Sequence, residues 1–220
     1  MHSLKRGVDL LISVLSLPLV LVVMTVAVVC IVVDDPGTPF HASTRVGRDG
    51  RPFRLLKLRS LRLGAERKAA ITVKADLRLT RVGTALRRYR IDELPQLLNV
   101  LRGEMSFVGP RPEDPRFVSG YSESDRIVLR VPPGIAGLAQ LEFHDEVERL
   151  DPTDPEGSYR REILPRKLAI DRAYVARAST PLDLAILWNT ALLVLFGKDP
   201  APFVERVLRP DGEPPDLRML

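Results

Sequence analysis

Residues Leu10–Val33, LLISVLSLPLVLVVMTVAVVCIVV, form a run of 24 consecutive uncharged residues. A helix of this length is long enough to cross the hydrocarbon core of a bilayer. A secretory signal does not fit, because its apolar core is about 7–15 residues long and is followed by a small-residue cleavage pattern. The run therefore predicts a membrane-associated protein.

The residues around and within this run leave its topology open. Lys5 and Arg6 precede it and several arginines follow it, so the positive-inside rule gives no orientation. Pro18 lacks an N–H and would clash with the carbonyl of Val14 in a straight helix, and Ser16 could bond a freed carbonyl. Two arrangements remain: a kinked spanning helix, or a re-entrant segment that breaks at Ser16–Pro18 and returns to the same side.

The rest of the chain has an uneven charge distribution. The full 220 residues carry a net charge of +5, but residues 41–90 hold 15 Lys and Arg against 3 acids, a net of +12. This concentration of cations predicts phosphate-rich partners: anionic lipid, a nucleotide diphosphate or nucleic acid. The single cysteine, Cys30, excludes a disulfide framework and a thiolate metal cluster.

Local patterns predict a mixed fold that is mostly helical. Two glycines in Arg45–Arg51 indicate a turn between short strands, and Phe53–Arg59 fits the second strand, with Lys57 and Arg59 on one face. The alternative for that segment is a short amphipathic helix, which would separate the two cations. Helical patterns cover Gly64–Ala70, Val82–Arg90, Glu162–Ala178, and Leu182–Phe196, which is either a core or an interfacial helix. The spacing of leucines 94, 97, 98 and 101 predicts a further helix that buries these leucines and ends at Gly103.

The stretch RRYRIDELPQLLNVLRGEMSFVGPRP, residues 87–112, is the most informative for chemistry. Asp92 and Glu93 stand where a helix begins, so Asp92 could simply be its N-cap, with Pro95 in the first turn. Capping does not explain the arginines on both sides. A carboxylate pair among arginines suits phosphoryl chemistry, because the cations neutralise phosphate oxygens and a carboxylate can hold Mg²⁺ or attack phosphorus.

Other familiar sites are missing from the sequence. It has no P-loop, no dinucleotide-binding glycine pattern, no nucleophile elbow and no HExxH motif. His144, Asp145, Glu146 and Glu148 could hint at a metal site, but a solvated charged turn explains them more simply.

Four blocks together resemble the bacterial sugar transferases, the monotopic polyprenyl-phosphate phosphoglycosyl transferases, in their minimal catalytic form. They are Lys5-Arg6-x-x-Asp9, GTPFHASTRVGRDGRPFRLLKLRSL (Gly37–Leu61), IDELPQLLNVLRGEMSFVGPRP (Ile91–Pro112) and PPGIAGLAQ (Pro132–Gln140). The resemblance runs from about Lys5 to Gln140 and is weaker over residues 163–195. The third block is long and specific.

This resemblance implies an activity and a fold. The enzyme would transfer a sugar 1-phosphate from a UDP-sugar to undecaprenyl phosphate and release UMP, which initiates a membrane-linked glycoconjugate. The implied fold is α+β and predominantly helical. Residues 1–36 would form a re-entrant membrane helix-break-helix. Residues 37–200 would form a small cytoplasmic catalytic domain with a short β-hairpin and interfacial amphipathic helices, and residues 201–220 a peripheral tail.

The resemblance also implies roles for individual residues, with Mg²⁺ as cofactor. Asp92 matches the nucleophile that forms an aspartyl-phosphosugar intermediate and would contact the metal, and Glu93 matches its partner. The expected sites further comprise phosphate-binding Lys57, Arg59, Arg87 and Arg111, the hairpin break at Ser16 and Pro18, and the membrane-interface anchors Lys5, Arg6 and Asp9. The expected location is the bacterial inner membrane with the catalytic domain on its cytoplasmic face. Anionic lipid and a homodimer are expected partners, and nucleic acid is not.

Two departures from the family pattern keep an alternative open. Pro132 replaces an arginine and Ala136 a threonine, so one cation and one hydroxyl are missing from that loop. A membrane-anchored scaffold that has the fold but is catalytically impaired is therefore a second hypothesis. A membrane-tethered nucleic-acid binder is a third, but no helix-turn-helix or aromatic RNA-binding signature supports it.

Overall fold

A computed structural model describes residues 2–65 and 78–209 of the chain. Its longer helices are α1 (His2–Asp34), α2 (Arg81–Arg88), α3 (Gln96–Arg102), α8 (Leu164–Arg177), α9 (Thr180–Phe196) and α10 (Ala201–Leu208). Its short helices are α4 (Pro115–Val118), α5 (Leu138–Glu142), α6 (Glu146–Arg149) and α7 (Pro155–Ser158). Its strands are β1 (Phe40–Val46), β2 (Pro52–Leu58), β3 (Ser106–Val108) and β4 (Gly134–Ala136). The α+β, mostly helical class is confirmed, whereas most of the helix predicted at Gly64–Ala70 lies outside the described residues.

The first turns of α1 are tied to the rest of the protein by polar contacts. The Asp9 carboxylate is buried and accepts hydrogen bonds from the Ser106 hydroxyl at 3.0 Å and the Phe107 N–H at 3.1 Å. The Arg6 guanidinium donates to backbone carbonyls at the end of α3, and Lys5 pairs with Asp183 at the start of α9. The N-terminal end of α1 therefore lies against β3, α3 and α9.

The last turns of α1 are attached to the same body. Ala27 and Ile31 are buried in a small apolar cluster with Leu58 of β2 and Leu86 of α2. The Asp34 carboxylate accepts a hydrogen bond of 3.0 Å from the Val82 N–H in the first turn of α2. Both ends of α1 thus contact one folded unit.

Helix α1 continues through Pro18 instead of dividing into the two helices predicted there. The Ser16 hydroxyl donates to the carbonyl of Ser13 at 3.2 Å, so it does bond the backbone of the preceding turn. Within the described part of the chain, α1 is the one helix long and apolar enough to cross a membrane. Its outward side exposes a series of large apolar residues, which include Leu11, Val14, Leu15, Leu19, Val22, Val26 and Val29.

The predicted β-hairpin is confirmed. Strands β1 and β2 pair antiparallel from Phe40↔Leu58 to Val46↔Pro52. The connecting turn needs two positive φ angles, at Asp49 (58°) and Gly50 (75°), which Asp and Gly tolerate well. The second strand is confirmed over Pro52–Leu58, which excludes the short amphipathic helix; Lys57 is half-buried in it, and the buried Arg59 follows its last residue.

The predicted leucine stripe before Gly103 is wrong in its orientation. The buried residues of α3 are Gln96, Leu97, Asn99 and Val100, while Leu98 is 43% exposed. The reason is polar: the Asn99 side chain accepts from the Leu56 N–H (3.1 Å) and donates to the Arg54 carbonyl (2.8 Å). These bonds satisfy the edge of β2 and turn the Asn99 face of the helix inward. Gly103 ends α3 at φ 79°, as predicted.

The main core lies between α5, α8, α9 and α10. Its buried side chains include Leu138, Ile163, Tyr174 and Ile186. Helix α9 buries one side here, as expected of a core helix, and exposes Trp188, Leu195 and Phe196 on the other; an interfacial position stays a prediction. Val204 and Val207 of α10 are buried in the same core, which therefore continues past residue 200.

Gly83 lets α2 pack directly on the backbone of Ser60. A Cβ atom at Gly83 would lie 2.0 Å from the Ser60 carbonyl oxygen, so Gly83→Ala requires the helix to move. We expect this substitution to lower the free energy of unfolding by about 1–3 kcal/mol. Gly7→Ala is the matched control, because a Cβ there meets nothing within 4 Å. Thermal unfolding of both variants in detergent checks this, and equal stabilities would contradict it.

Candidate active site

Asp92 and Glu93 lie in a short 3-10 turn, Ile91–Glu93, between α2 and α3. The turn follows Arg90, which has a left-handed backbone conformation at φ 54°. Neither carboxylate caps α3, whose N-cap is Pro95, so the capping explanation for Asp92 is wrong. Both acids are only 6% exposed. Burial of two adjacent carboxylates is costly unless cations lie close by.

The Glu93 carboxylate joins two cations from different parts of the fold. Its Oε1 accepts a hydrogen bond of 2.9 Å from the Lys57 ammonium of β2 and one of 2.6 Å from the Arg111 guanidinium. Burial alone would raise the pKa of Glu93, but these two cations hold it well below its usual range. Glu93 is therefore a fixed anion that locates Lys57 and Arg111.

The Asp92 carboxylate has a different environment. Across residues 2–65 and 78–209, none of the hydrogen bonds or ion pairs engages its oxygens. Burial raises its pKa, an effect that the Lys57 cation opposes and the neighbouring Glu93 anion reinforces. A carboxylate without competing donors keeps its lone pairs available, which is what a nucleophile requires.

Both acids line a large polar cavity of about 1060 Å³. Its lining includes basic side chains in or next to β2 and α2 and in the loop after β3, among them Lys57, Arg59, Arg87, Arg88, Arg90 and Arg111. The lining also includes His144, Glu146, Phe117 and Tyr159. The structure thus brings the predicted phosphate-binding residues to one cavity.

The four predicted phosphate ligands differ in the contacts that they already make within the protein. The Arg59 guanidinium is buried and bonds the Asp35 carboxylate at 2.8 Å, so it ties the end of α1 to β2. The Arg87 Nε donates to the Ser60 hydroxyl at 2.9 Å, and its charge lowers the pKa of Asp92. Lys57 and Arg111 are therefore the cations most directly coupled to the two acids.

A second, apolar cavity of about 440 Å³ opens on the other side of Glu93. Its wall combines the middle of α1 with α3 and α9, through side chains that include Ile12, Ser16, Val20, Leu97, Leu187 and Ala191. Arg90, Glu93, Leu193 and Val194 line both cavities. Glu93 therefore lies at the junction of the two cavities, and Asp92, the residue before it, lines the polar one. Ala136 lines the apolar cavity and not the polar one.

The family model for bacterial sugar transferases matches residues 1–197 of this chain. The chain belongs to the bacterial sugar transferase family. The predicted resemblance is thereby confirmed, and it extends beyond Gln140 through α8 and α9.

Several curated proteins are similar to this chain over most of its length. The UDP-N-acetylgalactosamine-undecaprenyl-phosphate N-acetylgalactosaminephosphotransferase of Aeromonas hydrophila is 36% identical over 88% of the chain. The exopolysaccharide production protein ExoY of Sinorhizobium fredii is 33% identical over 84% of the chain, and the UDP-glucose:undecaprenyl-phosphate glucose-1-phosphate transferase of Caulobacter vibrioides is 36% identical over 84%. The chain spans 44% of the Aeromonas protein's length, 83% of ExoY and 67% of the Caulobacter protein.

A magnesium ion would have few protein ligands in this family member. Within the described ranges, no group of three or more His, Cys, Asp and Glu side chains converges on a common point. Mg²⁺ is commonly bound by one or two carboxylates together with substrate phosphates, so a full protein cage is not required. The Glu93 Oε2 atom is buried without a hydrogen-bond partner in the described part of the chain. Asp92 and Glu93 therefore fit such a limited ligand set.

The structure also reveals a buried polar cluster that the sequence reasoning missed. Lys167 of α8 lines the polar cavity and contacts Glu113, Glu146 and Tyr159, which line it as well. The pattern of the Glu162–Ala178 segment showed only a charged helix. The sequence did contain a signal for this cluster. Lys167 and Asp171 share a helix face with the apolar Leu164, and charged residues on a buried helix face are rarely left unpaired.

Proposed function

We propose that this chain transfers a sugar 1-phosphate from a UDP-sugar to undecaprenyl phosphate and releases UMP, in two steps through Asp92. The observation that carries the proposal is the position of the acid pair, where the cationic cavity meets the apolar one at Glu93. The names of the relatives support the same donor and acceptor classes. Those names differ in the sugar, which is N-acetylgalactosamine in one and glucose in the other, so the donor class proposed for this chain is the UDP-sugars in general.

In the first step an oxygen of Asp92 attacks the sugar-linked phosphorus of the UDP-sugar. A bond forms between that oxygen and phosphorus, the bond from phosphorus to the bridging oxygen breaks, and UMP leaves with the electron pair. Lys57 and Arg111, held by Glu93, would bind the diphosphate and stabilise the negative charge that develops on it. The product is a sugar phosphate on the Asp92 carboxylate.

In the second step a phosphate oxygen of undecaprenyl phosphate attacks the same phosphorus and frees the Asp92 carboxylate. The apolar cavity beside Glu93 suits the first isoprene units of this acceptor, since its walls are almost entirely apolar. Only one phosphate acceptor occupies the junction at a time, so one set of cations serves both steps.

Mg²⁺ would be held by Asp92 and Glu93 together with the donor phosphates, and when bound it would add positive charge against the leaving group. In this arrangement Glu93 keeps its ion pairs through Oε1 and has Oε2 for a further cation.

At low pH, the rate of the first step should depend on the ionisation of Asp92. Burial raises the pKa of this carboxyl above the usual 3.8. Only the ionised form attacks, so the rate should rise with pH through a pKa above 3.8. The UMP burst without undecaprenyl phosphate is the correct measurement, because titration of the lipid phosphate is then absent. A burst rate that is constant down to pH 4 in folded enzyme would contradict this assignment.

For the membrane segment we propose a re-entrant arrangement at the inner membrane, with the catalytic domain on the cytoplasmic face. Arg6 and Ile31 are about 38 Å apart along a straight helix, longer than the roughly 30 Å hydrocarbon core. Both are nevertheless bound to the same folded unit. A straight crossing would place that unit on both sides of the bilayer, whereas a bend near Pro18 keeps both ends on one side.

Cysteine labelling tests this topology. Leu4 and Leu63 are exposed near the two ends of α1, so Leu4→Cys and Leu63→Cys in a Cys30→Ser background give one reporter each. Both should react with a membrane-impermeant maleimide in inside-out vesicles and neither in intact spheroplasts. Labelling of the two positions from opposite sides would exclude the re-entrant arrangement.

The transfer itself is tested with purified protein in detergent. A panel of UDP-sugars is incubated with undecaprenyl phosphate and Mg²⁺, and UMP and the lipid product are measured. We expect one or a few donors to give both products in equal amounts. Binding of UDP-sugars without UMP release would instead favour the catalytically impaired scaffold.

A further inference from the structure

Helix α8 has a buried polar stripe that faces the active-site loop. Lys167, Asp171 and Tyr174 follow the i, i+4, i+7 spacing and are 5%, 6% and 1% exposed. Tyr174 donates to Asp183 at 2.7 Å, and its hydroxyl lies 3.5 Å from the Val108 carbonyl. Asp171 lines a water-sized cavity that it shares with Arg111. All three side chains thus face either Val108, the last residue of β3, or the loop that follows it up to Glu113.

Lys167 makes the most contacts of the three. Its ammonium lies 2.9 Å from a Glu146 oxygen, 3.4 Å from Glu113 Oε1 and 3.1 Å from the Tyr159 hydroxyl. The same Tyr159 hydroxyl donates to Glu113 Oε1 at 2.5 Å. One buried cation therefore joins two carboxylates that are 33 residues apart in sequence.

The two carboxylates line the polar cavity but come from different elements of the fold. Glu113 is two residues after Arg111, in the loop whose backbone also bonds β1 through the Glu113 carbonyl and the Val46 N–H at 3.0 Å. Glu146 begins α6 and lines the same cavity. Lys167 thus connects the loop that carries Arg111 to the start of α6.

The electrostatics make this connection strong. Burial would lower the pKa of Lys167, but the Glu113 and Glu146 anions raise it, so the amine is charged. Burial would raise the pKa of Glu113, and the Lys167 cation lowers it instead. Without the ammonium, the half-buried carboxylates of Glu113 and Glu146 would lose the cation between them, and we expect the loop and α6 to move apart.

We propose that Lys167 is a positioning residue for the UDP-sugar: it sets the width of the polar cavity and so holds Arg111 against the donor diphosphate. This inference rests on the proposed function. It predicts an effect on the donor and not on the acceptor, since the apolar cavity is lined by other elements and does not include Lys167.

The test compares Lys167→Met with Lys198→Met, an exposed lysine after α9. Steady-state kinetics are measured for the UDP-sugar and undecaprenyl phosphate, with thermal midpoints recorded in parallel. We expect Lys167→Met to raise the donor KM about tenfold or more, with the acceptor KM within about twofold of wild type. Lys198→Met should match wild type. A donor KM within twofold of wild type, or equal rises in both KM values, would overturn the proposal even if the protein became less stable.

Milder variants keep the proposal testable if Lys167→Met does not fold. Glu146→Gln and Tyr159→Phe each weaken one arm of the cluster, and each should raise the donor KM by a smaller factor. If Lys167→Met folds, a double-mutant cycle is also possible. Glu146→Gln should raise the donor KM by a smaller factor in the Lys167→Met protein than in wild type, because the Lys167–Glu146 contact is already lost there. Unchanged donor KM in both mild variants would overturn the proposal. Absence of transfer by the wild type with every UDP-sugar would instead count against the proposed function.

Discussion

Replacing Asp92 by asparagine is expected to slow UMP release by at least about a thousandfold. The amide is almost isosteric with the acid but cannot supply an anionic oxygen to phosphorus. The loss should appear in kcat, with the donor KM changed much less, since Lys57 and Arg111 are held by Glu93 and not by Asp92. UMP release by purified variants, at saturating donor and acceptor, gives the result.

Asp49→Asn is the matched control for this substitution. Asp49 is exposed in the hairpin turn at φ 58°, a conformation that asparagine adopts readily. The control should retain wild-type activity. If Asp92→Asn turned over at a tenth of the wild-type rate or faster, the nucleophile would have to be another group.

Replacing Glu93 by glutamine is expected to lower kcat by about a hundredfold. The neutral side chain leaves Lys57 and Arg111 as two partly buried cations without their common anion, so they repel each other and lose their positions at the diphosphate. Glu205→Gln, in the exposed part of α10, is the control and should have no effect. A Glu93→Gln variant with wild-type kcat and donor KM would show that Glu93 does not position these cations.

The same substitution predicts a change in how stability depends on pH. The folded-state pKa of Glu93 lies well below its ordinary value of 4.5, so its ionisation stabilises the native protein. That contribution is complete above about pH 4.5 and is lost as the pH falls toward the folded-state pKa. The difference in thermal midpoint between wild type and Glu93→Gln should therefore shrink below pH 4.5. A difference that stays constant from pH 6 to pH 3 would contradict the ion pairs.

Much of this architecture could be predicted from local sequence. The hairpin follows from glycines at a turn and from alternation in β2, and the end of α3 follows from Gly103, because these signals act over a few residues. The face of α3 could not be predicted in this way. Its burial depends on Asn99 bonding the backbone at Arg54 and Leu56, some 45 residues away.

In the candidate site, too, features set by neighbouring residues could be predicted and features set by distant contacts could not. Asp92, Glu93 and the surrounding arginines stand out within one short stretch, and the family resemblance supplied their roles. The ion pair between Arg59 and Asp35 could not be predicted from the sequence, because it depends on the position in the fold of the C-terminal end of α1. The Lys167 cluster was also missed, because Glu113, Glu146 and Lys167 come together only when α8 packs under the loop that carries Arg111.

Intact-mass spectrometry of the protein incubated with its UDP-sugar and Mg²⁺, in the absence of lipid acceptor, tests the central claim most directly. The account predicts a mass increase of one sugar phosphate, located at Asp92 by peptide mapping and removed when undecaprenyl phosphate is added. Rapid transfer to the lipid by wild type with no adduct at Asp92 under any quench condition, together with normal turnover by Asp92→Asn, would contradict it.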